Sequence, residues 1–266
     1  SDADTDTDAD SDSDTDTGTG SDTGDPFPDD PCDPDLSDEY AGDHNGLVTD
    51  GNVIYNVRAP DDYDASTAYP LVMVYAPAGA NANQTESFTG LTANALVAGY
   101  IIAYANHVSP SSEANFERAA EVADDIPKRW CIDSDQIFIT GHSDGGSLAT
   151  VLAIYDMLYA IPAGIAPSAS GTNEAWFDSV TCPASLPVMI MHSSNDTLFP
   201  GHGLDARDFW VDCNACDTEP AEMLSDGCEL YNNCTDGVEV RYCEGTGSHG
   251  TWPSLNGSMI NFFDLF

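Results

Sequence analysis

The chain has 266 residues, of which 46 are Asp or Glu and 6 are Lys or Arg, for a formal net charge of −40 at pH 7. That balance excludes sequence-independent binding to nucleic acid or to an anionic membrane, because both need basic patches. No apolar run is long enough to span a bilayer, so direct membrane insertion is excluded as well.

Residues 1 to about 25 alternate Asp with Ser, Thr, Ala and then Gly, a composition that cannot bury apolar surface. We read residues 1–40 as a disordered acidic tail or linker; it carries 16 acidic residues and no basic ones, leaving 30 acidic against 6 basic beyond it. The tail reads as a solvated tether. Weak calcium binding by its carboxylates is a second reading, although the glycine-turned loop and terminal glutamate of a dedicated site are missing. With Ser1 first and no apolar signal segment, the chain reads as a processed product. The charge left on residues 41–266 favours solubility at high ionic strength and suggests a saline setting.

Residues 53–58 predict an early, partly exposed strand and residues 60–64 a turn. Residues 71–75 predict the first fully buried strand, which runs into Ala76-Pro77-Ala78-Gly79-Ala80. Residues 100–105 predict another strand, and residues 112–126 an acidic amphipathic helix with Phe116, Ala120 and Val122 inward, ended by Pro127. The run at 136–140 is short, β-branched and aromatic without polar alternation, as in a strand buried on both faces of a parallel sheet. After it, residues 147–159 carry Leu148, Val151, Leu152, Tyr155 and Leu158 at spacings of three and four, which predicts a helix with one face on the sheet. Residues 163–167 and 186–191 predict two more buried strands, and residues 238–243 an edge strand. Only 18 residues separate Pro167 from Leu186, too few for a large lid. Repeated strand, helix, strand order implies an α/β class with a mostly parallel sheet and helices on both faces.

Between the strand at 136–140 and its helix stands Gly141-His142-Ser143-Asp144-Gly145, where flanking glycines allow a turn tight enough to expose one serine in a strained conformation. Ser143 is the candidate nucleophile. A serine needs a histidine to take its proton and a carboxylate to orient that histidine, and in this arrangement the acid precedes the histidine in the chain. Asp196, in the loop after residues 186–191, is the candidate acid; His249, in the loop after residues 238–243, is the candidate base. One oxyanion donor is expected from Asp144, just after the nucleophile. Pro77 has no N–H, so Ala78 is the best second donor. The Asp144 carboxylate is expected to point outward at the helix N-terminus. Trp252, Phe199 and Trp176 are candidate substrate-binding aromatics. His142 should point away from the serine hydroxyl, His192 should be a structural hydrogen-bonder, and His107 and His202 are loop candidates for substrate contact. No histidine and carboxylate group has metal spacing, so neither metal nor cofactor is expected.

Eight cysteines form an even set. Cys213-Asn214-Ala215-Cys216 resembles a zinc or redox Cys-x-x-Cys, but without a second such pair disulfides in an oxidising compartment are favoured. The first expected pairing is Cys213 with Cys234 and the second Cys216 with Cys228, stapling the segment between Asp196 and His249.

With its three loops in place, the chain from about Val53 onward resembles the secreted α/β-hydrolase esterases: feruloyl esterases, acetylxylan esterases and polyhydroxyalkanoate depolymerases. The residues that carry the resemblance are Cys131-Ile132-Asp133, Gly141-His142-Ser143-Asp144-Gly145-Gly146, the loop at 192–200, and Trp252-Pro253 after His249. Two residues separate His249 from Trp252, where that family has one, and Tyr75-Ala76-Pro77-Ala78-Gly79 stands where it has His-Gly. The resemblance implies a monomeric secreted or cell-surface serine esterase for bulky or polymeric esters, either phenolic and acetyl esters of polysaccharides or polyesters. A surface-displayed binding or adhesion module with a vestigial site is the alternative from another class.

Overall fold

The computed structural model describes residue 32, residues 36–155 and residues 162–266. Of the tail expected over residues 1–40, residues 1–31 and 33–35 lie outside the described residues, as do the helix positions Leu158 and Tyr159. The strands are β1 (Asp43–Val48), β2 (Ile54–Arg58), β3 (Tyr69–Tyr75), β4 (Ile101–Ala105), β5 (Ile132–His142), β6 (Gly164–Ser168), β7 (Val188–Ser193), β8 (Glu222–Met223), β9 (Cys228–Tyr231) and β10 (Val240–Gly245). They form one sheet in the order β1-β2-β4-β3-β5-β6-β7-β10-β9-β8. The six strands from β4 to β10 in that order pair in parallel, and antiparallel strands flank them at both edges.

The helices are α1 (Ala82–Thr89), α2 (Thr92–Val97), α3 (Glu113–Asp125), α4 (Asp144–Tyr155), α5 (Glu174–Phe177), α6 (His202–Cys213) and α7 (Asn256–Phe263). Strand alternation splits the apolar residues into two cores. Leu71, Met73 and Tyr75 of β3 face one core with residues of α3, α4 and α6, while Val72 and Val74 face the other with Leu91, Ala95, Met259 and Phe262. Helices therefore cover both faces, as the element order implied. Between β6 and β7 only the four-residue α5 intervenes, so no large lid is built there.

α4 departs from the one-faced helix that its spacing implied. Gly145 to Ala153 are all buried, while Tyr155 is 46% exposed and stacks on Phe116. The reason is position: α4 packs against β3, β5, β6 and α3 together. Chain order is already regular upstream of the expected boundary at Tyr40, because Asp38–Tyr40 form a 3₁₀ turn and Tyr40 packs on Trp130.

All eight cysteines form disulfides, but both expected pairings are corrected. The bonds are Cys32–Cys131, Cys182–Cys213, Cys216–Cys234 and Cys228–Cys243. Cys228 and Cys243 are direct partners in the antiparallel β9–β10 register, so Cys228 is not open to Cys216. Cys213 ends α6 next to the segment after α5, which brings it to Cys182 rather than to Cys234. Sequence spacing carries neither fact, since both depend on which elements lie side by side.

Candidate active site

Ser143 follows β5, Asp196 follows β7 and His249 follows β10. These strands are parallel neighbours or next-neighbours in the sheet, so their carboxyl ends open at one edge, the region where ligands collect in open α/β sheets. Ser143 itself adopts φ 56°, a left-handed conformation that costs a non-glycine residue about 1–3 kcal/mol. Its N–H donates to the Ser168 carbonyl at 2.9 Å, and its own carbonyl accepts from the N–H of Ser147 at 2.9 Å, which fixes the turn from both sides. Glycine is required around it: a methyl group at Gly145 would collide with the carbonyl oxygen of Tyr75, and one at Gly146 would lie 2.5 Å from that of Ser168.

The Ser143 Oγ lies 2.9 Å from Nε2 of His249, and Nδ1 of His249 lies 2.7 Å from Oδ2 of Asp196. The ionised carboxylate only accepts, so Nδ1–H donates to it and Nε2 is left to receive the serine proton. Asp196 is 3% exposed. Its other oxygen accepts from the N–H groups of Leu198 and Phe199, each at 2.9 Å. Burial pushes its carboxyl up, but the bonds from His249, Phe199 and Leu198 outweigh burial and hold it below the usual carboxylate range. The acid loop is tied to the histidine loop by side chains: Ser193 Oγ donates to the Gly247 carbonyl, Ser194 Oγ to that of Gly245, and Asn195 Nδ2 to that of Thr246. These bonds, rather than a staple across the intervening insertion, join the two triad loops directly.

His142, expected to point away from the serine hydroxyl, is 3% exposed. Its Nε2 lies 2.6 Å from the carbonyl oxygen of His249, and its Nδ1 lies 3.0 Å from Oγ of Ser168. A carbonyl only accepts, so Nε2 carries the hydrogen. Burial lowers the imidazole pKa to about 4, which keeps the ring neutral and Nδ1 an acceptor for Ser168. His192 donates from Nε2 to the Phe199 carbonyl at 2.9 Å, and burial lowers its pKa too. His202 opens α6 and stacks on Phe199.

Ala78 lies in an exposed turn closed by the Ala80 N–H to Pro77 carbonyl bond, and among the described residues its amide enters no hydrogen bond. The Asp144 carboxylate, expected to point outward, accepts at Oδ2 from Nε2–H of His107 at 2.8 Å, and both side chains are about one-quarter exposed, at 28% and 25%. Of the three aromatics, Phe199 stands edge-on to His249 at 5.0 Å, and Trp252 packs on Phe88 and His142. Trp176 instead meets Tyr155 and Phe177, with no ring contact to the triad. A groove of about 600 Å³ adjoins His249 on the Trp252 side, lined among others by Phe88, Thr89, Gly250, Thr251, Trp252 and Asn256. The six Lys and Arg side chains are engaged elsewhere: Arg58 with Glu86, Lys128 and Arg129 with Asp125, Arg207 with Asp208, Arg241 with Glu239, and Arg118 with the Gly51 carbonyl. A cation for an anionic substrate group is therefore missing from these loops.

Sequence reading did not find Ser168 or the polar role of His107. Neither lies in a motif, and each is brought to the site by pairing across the sheet.

No protein-family model matches the chain. It is 27% identical over 219 residues to feruloyl esterase B of Piromyces equi, covering 70% of this chain and 40% of that protein. The chain thus spans well under half the length of that curated relative. Among solved structures, an acetyl xylan esterase from Aspergillus awamori matches with a TM-score of 0.66 at 17% identity, over 85% of this chain and 100% of that one. A truncated carbohydrate esterase from gut microbiota matches with a TM-score of 0.59 at 14% identity, over 86% and 98% of the two chains. The fold is that of the α/β-hydrolases, and the resemblance to their esterases read from the three loops is borne out.

Proposed function

We propose that this α/β-hydrolase domain is a serine carboxylic-ester hydrolase acting on carbohydrate esters, of feruloyl or acetyl type, outside the cell. The observation that carries the reading is the unbroken relay from Ser143 through His249 to Asp196, with links of 2.9 and 2.7 Å. His249 takes the Ser143 proton as Oγ attacks the ester carbonyl. The oxyanion then lies against the N–H groups of Asp144 and Ala78. Collapse expels the alcohol, which takes the proton from His249. A water molecule, deprotonated by the same histidine, next attacks the acyl-enzyme and releases the acid. Loops without a free cation suit an uncharged ester, and an open site without a large lid admits a bulky one. Trp252, which lines the neighbouring groove, and Phe199, edge-on to His249, supply apolar walls for the ester. The homology to feruloyl esterase B supports the carbohydrate side of the reading, and four disulfides support an oxidising compartment.

The test is release of ferulate from methyl ferulate and of acetate from acetylated xylan by the wild type and by Ser143→Ala. Turnover that disappears with the substitution is expected. Release of hydroxyacids from a polyester film, with neither carbohydrate ester cleaved, would replace the substrate class with polyesters. A folded wild type inert to all three would replace the enzyme with a binding module.

A further inference from the structure

The Ser143 turn has a neighbour that neither the triad nor the motifs include. β4 ends at Ala105, and the next two residues, Asn106 and His107, lie between the loop after β3 and the start of α4. Oδ1 of Asn106 accepts from the Ala82 N–H at 2.8 Å, and the N–H of His107 donates to the Ala80 carbonyl at 3.1 Å. These bonds hold the far end of the turn that begins at Pro77 and contains Ala78. The imidazole of the same residue reaches the other way, with Nε2–H on the Asp144 carboxylate at 2.8 Å. One residue thus grips both segments from which the oxyanion donors come: its backbone holds the turn of Ala78, and its ring holds the residue whose amide follows the nucleophile.

An acidic side chain beside a developing oxyanion is electrostatically unfavourable, since the two negative charges repel in a partly water-excluded site. The pairing with His107 gives that carboxylate a donor and a direction. Both side chains keep about a quarter of their surface, so the pair meets solvent rather than lying in the core. Other cations do not compete for the carboxylate, because all six Lys and Arg side chains are committed elsewhere.

We propose that His107 is a positioning residue of the oxyanion pocket: it fixes the turn of Ala78 against the first residue of α4 and draws the Asp144 carboxylate away from the oxyanion. This rests on the serine esterase reading above. His107 touches no reacting atom in the proposal; it acts through the two amides. A role in geometry of the transition state should appear in kcat, since the ground-state ester makes weaker demands on those donors than the tetrahedral oxyanion does.

The experiment compares wild type, His107→Ala, His107→Gln, Asp144→Asn and the double variant His107→Ala/Asp144→Asn on a p-nitrophenyl acetate series, with melting temperature recorded for each and Ser143→Ala as the blank. Misplacement of donors by an ångström costs up to about 100-fold, so His107→Ala is expected to lower kcat by roughly 10- to 100-fold with KM within about twofold. His107→Gln, whose side-chain amide can still donate to Asp144, should regain most of that loss. The Asp144→Asn change should restore part of the turnover in the double variant, because the charge that His107 controlled is gone. Affinity for a trifluoromethyl ketone, which forms a tetrahedral adduct on Ser143, should fall in parallel with kcat. Wild-type kcat in His107→Ala would overturn the proposal, as would a loss that follows melting temperature and is not rescued by glutamine. If His107→Ala does not fold, a His107→Gln enzyme no better than a His107→Phe enzyme overturns it equally. A wild type that cleaves no ester and is not labelled by a fluorophosphonate would remove the esterase reading, and this proposal with it; an active wild type silenced by Ser143→Ala but indifferent to His107 removes this proposal alone.

Discussion

The main-chain carbonyl of His249 is held by the buried ring of His142, with Nε2 at 2.6 Å. The residue before Ser143 therefore supports the loop of His249. Its folded pKa is lowered to about 4 by burial, against about 6.5 for an unperturbed imidazole. Between those values the unfolded chain binds the proton and the folded one does not. Stability is thus complete above about pH 6.5 and declines as pH falls toward 4, by about 3 kcal/mol from this residue. In His142→Gln that part of the decline should vanish. Urea melts of both proteins at pH 7, 5.5 and 4.5 measure it, and parallel declines would show that His142 carries no proton penalty.

The proposed triad predicts a graded loss. Ser143→Ala and His249→Ala should each reduce kcat by about 10⁶-fold, and Asp196→Ala by about 10⁴-fold, since the imidazole without its carboxylate keeps some basicity but loses its fixed tautomer. Two other carboxylates lie just downstream in the chain, but Asp205 accepts from the Glu174 N–H and Asp208 pairs with Arg207. Unchanged turnover in Asp196→Ala would nevertheless return the role to one of them.

Gly145 predicts a steric loss. A methyl group there meets backbone, the carbonyl oxygen of Tyr75, which cannot rotate away as a side chain can. Gly145→Ala should cost about 3 kcal/mol or more and shift the turn that carries Ser143. Gly250, beside the base, has open space where a Cβ would stand, so Gly250→Ala should melt within about 1 °C of wild type. Thermal melts of the two variants side by side decide it, and a Gly145→Ala protein as stable and active as wild type would refute the close approach.

The disulfides differ in the loop that they close. Cys32–Cys131 spans 99 residues of sequence and Cys228–Cys243 spans 15. On chain entropy alone the first stabilises by about 4–5 kcal/mol and the second by about 3. The Cys32→Ser/Cys131→Ser pair should therefore lower the denaturant midpoint more than the Cys228→Ser/Cys243→Ser pair. The reverse order would mean that packing around buried Cys228 outweighs loop closure.

Much of the sheet and all three triad candidates could be read along the chain, because buried parallel strands are local apolar runs and each triad member sits in the loop that leaves one of them. The glycines around Ser143 were legible for the same reason: a tight turn is a local demand. β1, β8 and β9 were not legible, being antiparallel strands at or near the sheet's edges whose residues gain from pairing rather than from their own pattern. α6 and α7 escaped too, since their apolar positions are set by the two cores that they complete. The disulfide pairing, the burial of α4 on every side, the grip of His142 on the His249 carbonyl and the reach of His107 to Asp144 were decided only by the tertiary structure. Each joins residues far apart in the chain, with sequence separations of 37 for His107 and Asp144 and 107 for His142 and His249. Sequence fixes what a residue can donate or accept; strand order and register decide what stands within 3 Å of it.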